Sequence, residues 1–120
     1  MNWHNINPIK IKNVKDFEVN ILKKLTFIKD LDISCMSTSF SHIFQGGYSA
    51  GYYSYKWAEV LDADAFEYFK EKGIFNKSIA SKFKNNILSK GGTEDPMDLY
   101  IKFRGRKPSI NALLNRAGIS

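Results

Sequence analysis

FSHIFQGGYSAGYYSYKWAEVL, residues Phe40 to Leu61, is the stretch on which the reading of this chain turns. The apolar run Phe40, Ile43, Phe44 is interrupted by Gly46 and Gly47, a pair that frees the backbone and lets it pass close to a ligand. From about Tyr48 the spacing becomes helical and continues towards Lys72, which predicts a glycine-rich loop delivering the longest helix of the fold. At roughly 100° per residue, Tyr48, Tyr52, Tyr55 and Glu59 fall within about 60° of one another on that helix. Tyr53, Trp57, Val60, Leu61 and Ala65 make a separate apolar face, the one expected to be buried. On pattern alone the phenol stripe reads first as a core edge with wet hydroxyls, and His42, more strongly, as a hydrogen-bonded structural histidine.

The remaining chain is punctuated for helices. Upstream, Trp3, Ile6, Pro8 and Ile9 read as an irregular arm, because Pro8 opposes helix before it. Asn13 is placed to cap a helix from Val14 to Ile28, with Asp16 near the positive end of its dipole and Val14, Phe17, Ile21, Leu25 and Ile28 as its apolar stripe. Lys15, Glu18, Lys23 and Lys24 are expected in water, and Asp30 to Ser37 reads as a connection in which Cys35 is a small packing residue. Downstream, Asp62, Asp64, Glu67 and Glu71 read as the solvated side of the long helix, which Gly73 ends. Asn76 opens the next helix, with Ile79, Ala80, Phe83, Ile87 and Leu88 as its stripe and Gly91 and Gly92 as its stop. Asp95 before Pro96 starts another, with Met97, Tyr100, Ile101 and Phe103 on its apolar side. Gly105 and Pro108 break it, and a last short helix from Ser109 docks through Ile110, Leu113, Leu114 and Ala117. No strand-like alternation of useful length occurs, so the fold class is all-α: about five helices in one segment, residues 1–120.

Composition narrows the function classes. With 120 residues and 43% hydrophobic content the chain can bury one modest core. Its single cysteine excludes an internal disulfide framework and suits a reducing compartment, with the cytoplasm as the expected location. No run approaches the ~18 to 20 apolar residues that cross a bilayer, so no membrane role is expected. The net charge of +6 is local: Arg104, Arg106, Lys107 and Arg116 form the one basic cluster, and helix-end charges or salt bridges explain it more simply than a phosphate backbone. Two histidines and one cysteine supply no spaced set of three or four zinc ligands.

SFSHIFQGGYSAGYYSYKWAEVLDADAFEYF, Ser39 to Phe69, resembles the signature near the C-terminus of the zinc oligopeptidases related to thimet oligopeptidase, oligopeptidase A and peptidyl-dipeptidase. The likeness continues through ILSKGG, Ile87 to Gly92, and FRGRKPSINALL, Phe103 to Leu114. MNWH, Met1 to His4, resembles the end of the preceding helix in the peptidyl-dipeptidase branch, which tilts the expected branch that way. His42 and Tyr48 are six positions apart, the bacterial spacing; the thimet branch is one residue tighter.

The resemblance implies a C-terminal part of a larger helical peptidase domain, acting on short peptides and packed against the remainder of that domain. Zinc would belong to the full-length parent, held on an HExxH helix that neither His4 nor His42 begins, with none bound by this chain's own ligands. It further implies that Tyr55 donates to the oxyanion, that Tyr48 is a second active-site tyrosine, and that His42 hydrogen-bonds substrate near the metal. Gly46 and Gly47 would admit substrate backbone, with Tyr52 and Tyr53 lining the channel. The chain alone is expected to be inactive. A non-catalytic peptide-binding or regulatory remnant is the alternative, followed by a basic helical module for nucleic acid.

Overall fold

The structure is a computed structural model that describes residues 2–25 and 35–119. Among these residues the protein is all-α, with six α-helices, several short 3-10 turns and one π-helical turn. The chain divides between Tyr53 and Ser54 into two compact units.

In the first unit α1 (Asn2–Asn5) leads through a 3-10 turn at Pro8–Lys10 to α2 (Val14–Leu22). The arm expected to be irregular is therefore partly helical. Asn7 accepts a hydrogen bond from the Ile9 amide at 3.1 Å, which starts the turn just where Pro8 removes a donor. Trp3 packs within this unit: its ring meets Phe17 edge-on at 4.5 Å and Phe44 at 6.0 Å. Asn13 caps α2 by accepting from the Asp16 amide at 3.1 Å. This helix ends at Leu22, short of the expected Ile28, because the Leu25 amide turns back to the Leu22 carbonyl at 2.7 Å. Ile28 and most of the connection from Asp30 lie outside the described residues.

The second unit is built on α3 (Ser54–Lys72), the longest helix, with α4 (Lys77–Phe83), a π-helical turn at Lys84–Leu88, α5 (Pro96–Arg104) and α6 (Asn111–Arg116). Local chemistry sets most of these ends. Gly73 takes φ 100° after α3, and Asn76 accepts from the Ser78 and Ile79 amides at 2.9 and 3.3 Å. Asp95 accepts from the Met97 and Asp98 amides at 2.8 and 3.2 Å with Pro96 in the first turn, and Gly105 closes α5 at φ 82°.

The core lies where α3, α4 and α5 meet. Phe103 is fully buried at its centre, with Tyr100 and Ile79 beside it and Leu61, Ala65, Tyr68, Phe69, Phe83 and Ile87 packed around. Phe83, Tyr68 and Tyr100 approach the Phe103 ring at 5.1, 5.5 and 6.1 Å, all edge-on, the arrangement that aromatic quadrupoles favour. α6 packs along α3. Ala80 and Leu88 are exposed, against expectation: Ile79, Phe83 and Ile87 carry the buried stripe, and the wider π turn rephases the residues that follow it. Met97 and Ile110 are exposed as well, and the last helix begins at Asn111, two residues past Ser109.

Candidate functional site

The long helix does not begin at Tyr48. Gly46–Tyr48 is a 3-10 turn opened by Gly46 at φ 69°, Ser49 leaves the helical region with φ −55° and ψ 123°, and Ala50 adopts φ 56°. A non-glycine residue in the left-handed region costs on the order of 1–2 kcal/mol and breaks helical continuity. The continuous phenol stripe is thus replaced by two settings: Tyr48 and Tyr52 on a compact turn, and Tyr55 in the first turn of α3.

That turn gathers aromatic rings around a histidine. His42, in a 3-10 turn at Ser41–Ile43, has the rings of Tyr48, Tyr52 and Phe40 at 5.0, 5.6 and 5.7 Å. Phe40 meets Tyr52 edge-on at 4.7 Å, and Tyr48 lies 6.0 Å from Tyr52. Gly46 and Gly47 sit between the histidine and the first tyrosine, and a Cβ on either would touch nothing within 4 Å. The first unit so brings together His42, Tyr48, Tyr52 and the glycine pair. Tyr53, its last residue, is exposed, and Tyr55 belongs to the second unit with 47% of its surface exposed. Trp57 is 58% exposed, so the face expected to be buried begins only at Val60.

Two acids expected in water are buried instead. Glu18 accepts from the Met36 and Ser37 amides at 2.9 and 3.0 Å, from the Ser37 hydroxyl at 2.5 Å and from the Cys35 thiol at 3.4 Å. It thereby ties α2 to residues 35–37. Burial alone would raise its carboxyl, but the hydrogen bonds from Ser37, Cys35 and Met36 outweigh that and hold it below the ordinary range.

Asp64 is 1% exposed in the middle of α3. Its Oδ2 accepts from the Tyr100 hydroxyl at 2.6 Å and from Arg106 Nη1 at 3.2 Å, and its Oδ1 from Arg106 Nη2 at 2.7 Å. Arg104 Nε lies 3.6 Å from the same carboxylate, while its Nη atoms bind Glu71 at 2.9 and 3.2 Å and its guanidinium stacks 4.5 Å over Tyr68. Burial pushes the Asp64 carboxyl up, yet the hydrogen bonds of Arg106 and Tyr100 and the charges of both arginines bring it below the usual value. Burial and the neighbouring carboxylate drive the Tyr100 phenol upwards, so it stays a donor at any physiological pH. Arg116 pairs with Asp62 at 2.8 Å. The three arginines of the basic cluster near the C-terminal end are thus answered within the chain, at Asp62, Asp64 and Glu71. The one signal in sequence was the concentration of arginine after Lys102.

Among the described residues no group of three or more His, Cys, Asp or Glu side chains is placed to hold a metal ion, so the zinc implied by the resemblance does not fit a ligand set here. No helix among them is long and apolar enough to cross a membrane.

An exposed histidine and two phenols on a strained glycine turn, in an all-α chain, define a helical protein with an exposed polar aromatic surface. Residues 3–119 match peptidase family M3, a zinc-dependent metallopeptidase family, and the chain belongs to it. It is 57% identical over 113 residues to oligopeptidase A of Salmonella typhimurium, covering 94% of this chain and 17% of that protein. Oligopeptidase A of Haemophilus influenzae is 47% identical over 116 residues, 97% of this chain and 17% of that protein. Dipeptidyl carboxypeptidase of Escherichia coli is 34% identical over 126 residues, the whole of this chain and 18% of that protein. The expected preference for the peptidyl-dipeptidase branch is therefore not supported: the oligopeptidase A relatives are the more similar. The chain spans about a sixth of the length of these curated relatives.

Proposed function

We propose that this chain is the substrate-binding and transition-state-stabilising segment of an M3 catalytic domain that hydrolyses short peptides in the cytoplasm, packed against the remainder of that domain. The observation that carries the reading is the cluster of His42, Tyr48 and Tyr52 around the Gly46–Gly47 turn. Tyr55 donates its phenolic hydrogen to the scissile carbonyl oxygen as that oxygen becomes anionic, Tyr48 is a second donor, and His42 hydrogen-bonds the substrate. Gly46 and Gly47 let the turn approach the peptide backbone, and Tyr52 and Tyr53 line its path. Donors aimed at charge that exists only in the transition state act mainly on the chemical step. The metal of the family has no ligand set among the described residues, and the role proposed for the chain is that of these donors and contacts.

Placing the whole chain at its matched position in Salmonella oligopeptidase A gives a chimaera in which this is measurable. Tyr55→Phe should lower kcat for a quenched peptide by about 10²- to 10³-fold with KM much less affected. A near-parental kcat would return Tyr55 to a packing role. Turnover unaffected by Tyr55→Phe and by His42→Ala together, with peptide binding retained, would favour a non-catalytic peptide-binding module. A nucleic-acid module is disfavoured by the pairing of Arg104, Arg106 and Arg116 with acids of α3.

A further inference from the structure

Along one face of α3, Asp64, Tyr68 and Glu71 recur at the spacing that stacks side chains on one helical stripe. Each holds an arginine from α5 or the residues that follow it. Asp64 takes the fork of Arg106 at 2.7 and 3.2 Å, Tyr68 lies under Arg104 at 4.5 Å, and Glu71 takes the fork of Arg104 at 2.9 and 3.2 Å. The Tyr100 hydroxyl closes on Asp64 at 2.6 Å. Arg104 Nε is the only side-chain polar atom among the described residues that is buried with no hydrogen bond; the Asp64 charge at 3.6 Å is what faces it. In the aromatic core below, Phe83, Tyr68 and Tyr100 meet Phe103 edge-on and Phe69 meets it tilted at 36°, contacts that carry no hydrogen-bond direction. Forked guanidinium–carboxylate pairs are directional and fix a planar geometry.

From Tyr55 to Asp64 an α-helix advances about 13 Å and turns through about two and a half revolutions, so the two residues project from opposite sides of α3. Whatever fixes the buried side at Asp64 therefore fixes the direction in which the opposite side, with Tyr55, is presented. A side-chain surface lies ~5–6 Å from the helix axis, so a rotation of about 20° moves it by about 2 Å, and 1 Å of misplacement costs a catalytic contact on the order of 10²-fold.

We propose that Asp64 and Arg106 are positioning residues for Tyr55: their forked pair, continued through Arg104 to Glu71, sets the rotation of α3 about its axis and so the aim of the phenol at the reacting carbonyl. This rests on the role given to Tyr55 above. The latch itself touches no substrate and acts only through the helix.

A double-mutant cycle in the chimaera tests it. Arg106→Lys keeps the charge and loses the fork, and Arg106→Gln loses both. Each is made once with Tyr55 intact and once together with Tyr55→Phe, under conditions where circular dichroism shows every variant folded. With Tyr55 intact, Arg106→Lys should lower kcat by about 10-fold or more and leave KM within about threefold, as expected of a misaimed donor. In the Tyr55→Phe background the same change should lower kcat by less than about twofold, because the group being aimed has gone. A purely structural latch would give equal losses in both backgrounds, which would overturn the inference. An unchanged kcat for Arg106→Lys beside a strong Tyr55→Phe effect would overturn the positioning role alone. If Tyr55→Phe itself had no effect, the reading of Tyr55 would fall and this inference with it. Should Arg106→Gln not fold, the lysine variant still completes the cycle.

Discussion

Removing Arg106 should harm the second unit more than removing the aspartate it binds. Asp64 is 1% exposed, whereas the Arg106 side chain is 44% exposed. Arg106→Gln takes away the two guanidinium hydrogen bonds, leaving a buried carboxylate with the Tyr100 hydroxyl and the Arg104 charge 3.6 Å away. Stranding one partner of a buried pair costs about 3–5 kcal/mol, and the remaining partners place this case near the lower end. Asp64→Asn instead frees an arginine that already reaches water and keeps an oxygen to accept from Tyr100; it places an amide donor among donors and removes the charge facing Arg104 Nε, but Arg104 stays bound to Glu71, so about 2 kcal/mol is expected. The pH dependence provides a second, independent sign. In the parent the Asp64 carboxyl is held below its ordinary value, so its contribution is full above the unfolded value of about 3.9 and is lost as pH falls through the lower folded value. In Arg106→Gln burial acts with less opposition and raises that carboxyl, so the deficit against the parent should shrink as the pH is lowered through about 4. Urea unfolding followed by far-UV circular dichroism at about pH 7 and about pH 4 measures both effects. A larger loss for Asp64→Asn than for Arg106→Gln at neutral pH, or a deficit for Arg106→Gln that does not narrow in acid, would refute the reasoning.

Three further outcomes are expected. Glu18→Gln should destabilise the first unit by about 1–3 kcal/mol, because the amide places a donor among groups that all donate to Glu18, and should speed hydrogen exchange at the Met36 and Ser37 amides; unchanged exchange there would count against the clasp. Gly105→Ala should cost about 1–2 kcal/mol through backbone strain at φ 82° alone, since a Cβ there meets nothing within 4 Å, and a neutral midpoint in thermal unfolding would contradict it. The 120-residue chain alone, supplied with zinc, should not hydrolyse a quenched peptide; turnover that survives repurification and disappears with chelator would require a metal site assembled in some other way.

Sequence alone determined the elements whose causes are local. Asn13, Asn76 and the Asp95–Pro96 pair cap their helices through bonds that span two or three residues, and Gly73 and Gly105 take the positive φ that ends α3 and α5. Such signals are readable because both partners stand within a few positions of each other. The motif from Ser39 to Phe69 carried the family as well. What only the tertiary structure decided was the fate of charges and the phase of the tyrosines. Glu18 finds its donors 18 and 19 positions on, and Asp64 finds Tyr100 and Arg106 at separations of 36 and 42; a helical wheel shows an acid on a polar side and cannot show what folds over it. Ala50 at φ 56° ended the helix that the spacing of Tyr48, Tyr52 and Tyr55 suggested. An alanine favours helix by its own propensity, so its left-handed conformation is imposed by the turn around it, and only the folded chain could reveal that His42, Tyr48 and Tyr52 meet there while Tyr55 opens the next helix.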